Sequence, residues 1–140
     1  MKVSSKLIRA ELNRAADSLK AARNLLKDGL FADSITRSYY AVFHAARACL
    51  LHHGENPSTH KGIFMLFHQR LVRGGLIEEE FARILKLAKE ERWLGDYAVE
   101  EEFDFERAEV RMTEASRFVN RAKDYLKRNL KWITALRSLW

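Results

Sequence analysis

An apolar repeat in the segment ITRSYYAVFHAARACLLHH, residues 35–53, constrains the fold more than any other feature of the sequence. Its members follow one another at steps of four and three, the spacing that places side chains on one face of an α-helix. They are Ile35, Tyr39, Val42, Ala46, Cys49 and His53. Such a stripe is stable only when other apolar surface covers it, so we expect this helix to face the core of a helical bundle.

The rest of the chain shows the same helical pattern and few residues that break helices. Its 140 residues include one proline and six glycines, and no long segment alternates with period two. We therefore expect an all-α fold with one bundle domain, residues 4–130. A Trp-rich helical tail, residues 131–140, follows. Docking on the core or packing against another subunit suits its aromatic surface better than contact with a membrane.

Residues that favour helix ends divide the chain into five predicted helices. The candidate caps are Ser4 or Ser5 for the first helix, Asp33 or Ser34 for the second, Ser58 or Thr59 for the third and Asp104 for the fifth. Three glutamates at 78–80 suit the positive amino end of the fourth helix. The predicted core side of that helix consists of Ile77, Phe81, Ile84, Leu85 and Ala88.

The formal charge of +6 is unevenly distributed along the chain. Residues 99–109 carry six acids and one base, a net −5, so the remaining residues carry +11. A basic surface favours partners that bear phosphate, because binding releases counterions. Charge alone does not separate nucleic-acid-binding proteins from other basic proteins.

Several functional classes lack their sequence signatures. The chain has no GxxxxGK, HExxH or GxSxG motif and no cysteine cluster, so we expect neither a cofactor nor a metal site. Cys49 is the single cysteine and cannot form an internal disulfide, which favours a reducing, cytoplasmic setting. No apolar run approaches the length of a membrane span, so we expect no membrane association.

A second stripe on the same helix carries polar side chains. Its members recur at three, four, three and four: Arg37, Tyr40, His44, Arg47 and Leu51. A histidine can move a proton near neutral pH, and arginines can hold a phosphate. The alternative is a polar dimer seam or a hydrogen-bonded network that serves only the fold.

A second candidate site lies in the segment ERWLGDY near the end of the fourth helix. Arg92 and Asp96 are four residues apart and can pair on one helix face, with Tyr97 beside them. The arginine could hold a phosphate while the tyrosine stacks on a base. The alternative is an ion pair that only holds the fourth helix in place.

The order of four segments resembles the HEPN domain family of small prokaryotic helical proteins. The segments are SITRSYYAVFHAARACLLHHG, STHKGI, RWLGDY and EASRFVNRAKDYLK, and they span nearly the whole chain before the tail. The resemblance implies an up-and-down bundle of four to five helices and homodimers with a composite cleft. It also implies pairing with a small nucleotidyltransferase as toxin and antitoxin.

Many members of this family are metal-independent ribonucleases with an arginine, four to six residues and then a histidine. The spacing occurs twice on the second helix, in Arg37 to His44 and Arg47 to His52. The segment that matches the family's position is ERWLGDY, where Asp96 stands in place of the histidine. Its ordinary pKa of about 4 makes aspartate a poor acid at neutral pH. In some members a partner nucleotidyltransferase attaches AMP to a tyrosine just after the histidine, and Tyr97 is offset by one from that place.

These observations favour a cytoplasmic, dimeric protein that binds RNA or a nucleotide at a basic dimer cleft. The predicted contact residues are Arg37, Tyr40, His44, Arg47, His60, Arg92 and Tyr97, with Asp96 orienting Arg92. The first alternative is a metal-independent endoribonuclease toxin in which His44 activates the ribose 2′-hydroxyl and Arg37 or Arg92 stabilises phosphate charge. The second is a non-catalytic interaction module.

Overall fold

The computed structural model describes residues 5–129, and helices make up most of this range. The elements are α1 (Ser5–Lys27), α2 (Phe31–His52), α3 (His60–Leu66), a π-helical turn (Phe67–Val72), α4 (Glu79–Tyr97) and α5 (Phe105–Asn129). The expected all-α bundle is confirmed, and no strand occurs between residues 5 and 129. The predictions for Ser4 and for the Trp-rich tail lie outside the described residues.

Helix α2 lies at the centre of the bundle and packs against α1, α3, α4 and α5. The apolar stripe predicted on it is buried from Ile35 to Cys49. His53 is the exception, because it follows the last residue of α2 and is exposed. Three alanines outside the predicted stripe, Ala41, Ala45 and Ala48, are also fully buried. Burial on several sides is what a helix surrounded by neighbours requires.

The start of α2 differs from the predicted capping by Asp33 or Ser34. The helix begins at Phe31 instead, after Gly29 adopts a positive φ of 79° and ends α1. Ser34 is fully buried, and its hydroxyl donates a hydrogen bond of 2.8 Å to the carbonyl of Ala22. The serine therefore joins α1 to α2, because a polar group buried between helices needs a partner.

The caps of α3 and α5 agree with the sequence. The hydroxyl of Thr59 accepts a 2.9 Å hydrogen bond from the backbone N–H of Gly62, and a carboxylate oxygen of Asp104 accepts one of 2.8 Å from that of Arg107. The predicted third helix changes to a π-helical turn at Phe67, which the sequence pattern did not indicate. Phe67 and Leu71 still reach the core.

Helix α4 buries the five residues predicted for its core side, from Ile77 just before it to Ala88. This burial fixes the rotation of α4 and brings its last turns beside the first turns of α2. The hydroxyl of Thr36 donates a 3.3 Å hydrogen bond to Asp96 Oδ1 across this contact. The two candidate segments of the sequence therefore meet at one end of α2.

Among residues 5–129, none of the helices is long and apolar enough to cross a membrane.

Candidate functional site

An open groove between α1 and α2 contains most of the polar stripe of α2. Its volume is about 480 Å³, and its lining residues are Arg14, Asp17, Ser18, Ala21, Arg37, Tyr40 and His44. Four of them belong to α1 and three to α2, so the groove exists only where the two helices pack together. Two arginines and one aspartate give it a net positive charge before any charge on His44 is counted.

Arg37 and Tyr40 lie one helical turn apart in this groove. The guanidinium carbon of Arg37 is 4.8 Å from the centroid of the Tyr40 ring, which is cation–π geometry. Within residues 5–129, no carboxylate forms an ion pair with Arg37. The aromatic ring orients the guanidinium and leaves its hydrogen-bond donors available to an anion.

A buried carboxylate of α1 holds His44 and Arg47 in place. Glu11 is only 6% exposed. Its Oε2 lies 2.7 Å from His44 Nδ1, and its Oε1 accepts a 2.8 Å hydrogen bond from Arg47. Because a carboxylate only accepts hydrogen bonds, His44 must carry the proton on Nδ1, which leaves Nε2 as its second nitrogen.

Arg47 donates hydrogen bonds to two other side chains, more than any other predicted contact residue does. Besides the bond to Glu11, its second terminal nitrogen donates a 3.2 Å hydrogen bond to Asn56 Oδ1. The guanidinium therefore fits the alternative of a network that serves the fold better than it fits a ligand contact. The charge of Arg47 also compensates that of Glu11, which would be costly to bury alone.

Tyr39 and His60 connect the groove to the end of α4. The Tyr39 hydroxyl is 2.5 Å from His60 Nδ1, and the His60 ring stacks on Phe43 with centroids 4.2 Å apart. Burial raises the pKa of Tyr39 to about 12, so its phenol keeps its proton and donates to His60. Partial burial, then the charges of Arg92 and His44, lower the pKa of His60. His60 is therefore neutral at pH 7 and carries its proton on Nε2.

Arg92 extends from α4 over the face of Tyr39. Its guanidinium carbon is 4.8 Å from the ring centroid, and its Nη1 donates a 3.2 Å hydrogen bond to Asp96 Oδ2. Asp96 also accepts the bond from Thr36. Its carboxylate is therefore placed to orient Arg92 and to tie α4 to α2.

Tyr97 points away from this cluster. Its side chain is 65% exposed, and its ring lies 5.6 Å from that of Trp93, centroid to centroid. Trp93 is itself 54% exposed. The predicted contact residues therefore lie in two places: Arg37, Tyr40 and His44 in the groove, and Arg92, Asp96 and Tyr97 at the end of α4, with His60 between them.

Two contributors to the site were not identified from the sequence. Tyr39 was assigned only to the core, although its hydroxyl bonds His60. Glu11 was not singled out, but a carboxylate beside the apolar stripe of α1, next to Leu12, is a recognisable signal that a buried partner is needed. In the alternative spacing from Arg47 to His52, the His52 ring packs edge-on against Tyr125.

No group of three or more His, Cys, Asp or Glu side chains between residues 5 and 129 is arranged to hold a metal ion.

The chain is similar to one protein-family model and to proteins of several organisms. A family model described as the HEPN domain matches residues 8–128. The chain is 38% identical over 120 residues to a Methanocaldococcus jannaschii protein named "Putative toxin", covering 86% of this chain and 89% of that relative.

Two further relatives carry the name UPF0332 protein. One, from Gloeobacter violaceus, is 38% identical over 116 residues, 82% of this chain and 92% of the relative. Another, from Thermotoga maritima, is 30% identical over 120 residues, 86% of this chain and 91% of the relative. In all three cases the similarity covers nearly the full length of both proteins.

Proposed function

This chain belongs to the HEPN domain family, and we propose that it is the HEPN component of a toxin–antitoxin pair. In this proposal it is a cytoplasmic homodimer that binds RNA or a nucleotide at a basic cleft and works beside a nucleotidyltransferase. The observation that carries the proposal is the groove between α1 and α2, where Arg14, Arg37, Tyr40 and His44 face the same space.

The chemistry of the groove suits a phosphate next to a base. The guanidinium groups of Arg14 and Arg37 can donate charge-assisted hydrogen bonds to phosphate oxygens. Tyr40 offers an aromatic ring to a base, and its own centroid is 6.3 Å from that of His60. The neutral His60 contributes an Nε2–H donor without adding charge.

Binding to a short single-stranded RNA tests this proposal directly. We expect Arg37→Ala to weaken binding about tenfold in fluorescence anisotropy, since a charge-assisted phosphate contact is lost. Arg23→Ala is the matched control, because Arg23 is exposed and lies opposite the groove on α1 by helical spacing. Equal RNA affinities of the two variants would show that Arg37 and its groove do not contact the RNA. No RNA or nucleotide binding by the wild type would leave the interaction-module alternative.

The partner part of the proposal has its own support and its own test. The first relative described above carries the name "Putative toxin", and Tyr97 is exposed enough for a second protein to reach it. The first step is to search beside this chain's gene for a nucleotidyltransferase reading frame. If one is present, incubation with that enzyme and ATP should add AMP to the wild type and not to Tyr97→Phe, as measured by intact mass. Light scattering would report the homodimer separately.

The metal-independent endoribonuclease remains the second candidate, and the pair of Glu11 and His44 favours it. With Nδ1 bonded to Glu11, His44 Nε2 could accept the proton of a ribose 2′-hydroxyl as that oxygen attacks the adjacent phosphorus. Arg37 would stabilise the charge that develops on the phosphate. A second group would have to protonate the departing 5′-oxygen, and Asp96 is a poor acid at neutral pH.

Cleavage of RNA in excess EDTA separates the two candidates. An endoribonuclease should cut RNA under these conditions and lose activity in His44→Ala. Intact RNA after long incubation with protein that still binds it would leave binding as the function. Arg23→Ala again serves as the control for purity and folding.

A further inference from the structure

The end of the bundle that carries the α1–α2 and α4–α5 connections is acidic. Residues 27–33 and 98–109 together carry eight acids and two bases, a net −6. The two segments lie side by side, because the rings of Phe31 and Phe105 meet edge to face with their centroids 6.2 Å apart. We call these two segments the acidic pole.

Most carboxylates of the acidic pole have no cation as a partner. Arg107 donates hydrogen bonds to Glu91 and Glu101, and Asp104 caps α5. Lys27 is the other base of the pole, and it forms no ion pair within residues 5–129. In the same range, the pole has six further carboxylates without an ion pair: Asp28, Asp33, Glu100, Glu102, Glu106 and Glu109. Like charges this close repel one another, so a cationic partner would be favourable here.

The needs of the helix ends do not account for all of this charge. Asp33 and Glu106 lie in the first turns of helices, where a carboxylate is favourable. Asp28, however, follows the last residue of α1, where a negative charge is unfavourable, and Glu109 lies beyond the first turn of α5. No three acidic, histidine or cysteine side chains within residues 5–129 are arranged to hold a metal ion. A protein segment that carries its own bases is therefore the partner that fits.

Apolar side chains are exposed among these carboxylates. Leu30 is 49% exposed, Phe105 47% and Val99 93%. Leu30 adjoins Phe31, whose ring contacts that of Phe105, so these side chains lie in one region of the pole. Exposed apolar surface with a charged rim is typical of a site that binds another protein. The expected partner segment is therefore basic and apolar at the same time.

The Trp-rich tail, which lies outside the described residues, has this chemistry in its sequence. It contains Lys131 and Arg137 and no acid, and Lys127 and Arg128 precede it. Its large apolar residues include a set at helical spacing: Trp132, Leu136, Leu139 and Trp140. We propose that the acidic pole of one copy of the chain binds the Trp-rich tail of a second copy. The bases of the tail face the carboxylates, and its apolar side chains cover the surface around Phe105.

The length of α5 separates each tail from the pole of its own copy. Phe105 and Asn129 are the first and last residues of α5 and lie about 36 Å apart at 1.5 Å per residue. The backbone of Arg137 reaches at most about 29 Å from that of Asn129, even in a fully extended chain. The part of a tail from Trp132 to Arg137 can therefore meet only the pole of another copy.

This contact joins two different surfaces, unlike a symmetric dimer contact. Two acidic poles that faced each other would oppose one net charge of −6 with another, which is unfavourable. A pole that meets a tail brings opposite charges together instead. Such a contact leaves one pole and one tail free at its two ends, so it adds copies head to tail. It involves neither the groove between α1 and α2 nor a symmetric homodimer contact.

A fluorescein-labelled peptide of residues 127–140 tests the pole as its binding site on the full chain. We expect saturable binding in fluorescence anisotropy, weakened by added salt and about tenfold weaker in Glu102→Lys with Glu109→Lys. The matched control is Glu79→Lys with Glu90→Lys, because these two glutamates of α4 are also exposed and form no ion pair within residues 5–129. Equal weakening in the two proteins, or no binding to the wild type, would overturn the proposal.

Complementary variants of the full chain test whether the partner is a second copy. The tail variant is Lys131→Glu with Arg137→Glu, and the pole variant is Glu102→Lys with Glu109→Lys. In sedimentation velocity, each alone should lose the rise of molar mass with concentration that we expect for the wild type. Mixed in equal amounts, they should form species larger than either forms alone, because one retains a native pole and the other a native tail. A mixture without larger species, from variants with native circular dichroism, would overturn the contact between copies.

Discussion

The arginines of α5 and the cations of α2 and α4 belong to the same basic chain but have different surroundings. All five arginines of α5 form ion pairs with carboxylates: Arg107, Arg111, Arg117, Arg121 and Arg128. Arg37, Lys86 and Lys89 have aromatic neighbours or open hollows instead. The partner of a cation, more than its presence, therefore indicates whether it is available to a ligand.

The acidic residues explain this division. Glu91, Glu101 and Asp124 lie where α5 packs or begins, and they neutralise its arginines. Asp17 lines the groove and Glu79 and Glu90 line two hollows beside Lys89, but no ion pair joins them to Arg37, Lys86 or Lys89 within residues 5–129. The comparison predicts that removing a paired cation lowers stability, whereas removing an available cation lowers binding.

Loss of the Glu11 carboxylate should have the largest effect, because two α2 side chains depend on it. Glu11→Ala leaves His44 and Arg47 without their buried acceptor and should lower the free energy of unfolding by about 2–3 kcal/mol. Urea unfolding followed by circular dichroism measures this change. Glu109→Ala is the control, since Glu109 is exposed, and it should change stability by less than about 0.5 kcal/mol. Equal effects of the two variants would show that Glu11 is not structurally required.

Arg107 should be the most important of the α5 arginines for stability. Its guanidinium donates hydrogen bonds of 2.6 Å to Glu91 and 2.9 Å to Glu101, and it lies 4.4 Å from the centroid of the Phe103 ring. Arg107→Ala should therefore cost about 1–2 kcal/mol of stability. The same variant should bind RNA as the wild type does. A large loss of RNA affinity in a folded Arg107→Ala protein would contradict the comparison.

Binding and its salt dependence should distinguish Arg37 from Arg117. Arg37→Ala should lower the slope of log affinity against log salt by about 0.7, the value for one phosphate contact on a single strand. Arg117 is exposed and pairs with Glu80 at 2.8 Å. Arg117→Ala should leave the slope unchanged. A similar decrease for both arginines would mean that they act only through overall charge.

The smallest predicted effect is a change in the pKa of His60, and it concerns that side chain alone. Partial burial, Arg92 and His44 lower the pKa of His60 from its ordinary 6.5. Between the lowered value and 6.5 the unfolded chain binds more protons, so the contribution of His60 to stability decreases as the pH falls through this window. Arg92→Ala should raise the pKa in an NMR titration, whereas Arg117→Ala should not. An unchanged pKa of His60 in Arg92→Ala would show that Arg92 does not affect the protonation of His60.

The parts of the fold and site that could be predicted depend on residues close in sequence. The buried stripe of α2 from Ile35 to Cys49 follows from helical spacing, and the caps by Thr59 and Asp104 from the hydrogen bonds of a helix start. The ion pair of Arg92 and Asp96 follows from a separation of four residues. The predicted start of α2 was wrong. Ser34 does not cap this helix, because its hydroxyl donates a hydrogen bond to the carbonyl of Ala22 and joins α2 to α1.

Residue types and their spacing were enough to predict five helices, most of their buried faces, the excess of positive charge and the family, but not the start of α2 or the π-helical turn. The tertiary structure decided which polar groups meet: Glu11 with His44 across 33 residues, Tyr39 with His60 across 21 and Arg121 with Glu78 across 43. The physical reason is that helical periodicity gives the direction of a side chain around its own axis, whereas its neighbour depends on how separate helices pack. Which cations remain available to a ligand is therefore a property of the folded bundle.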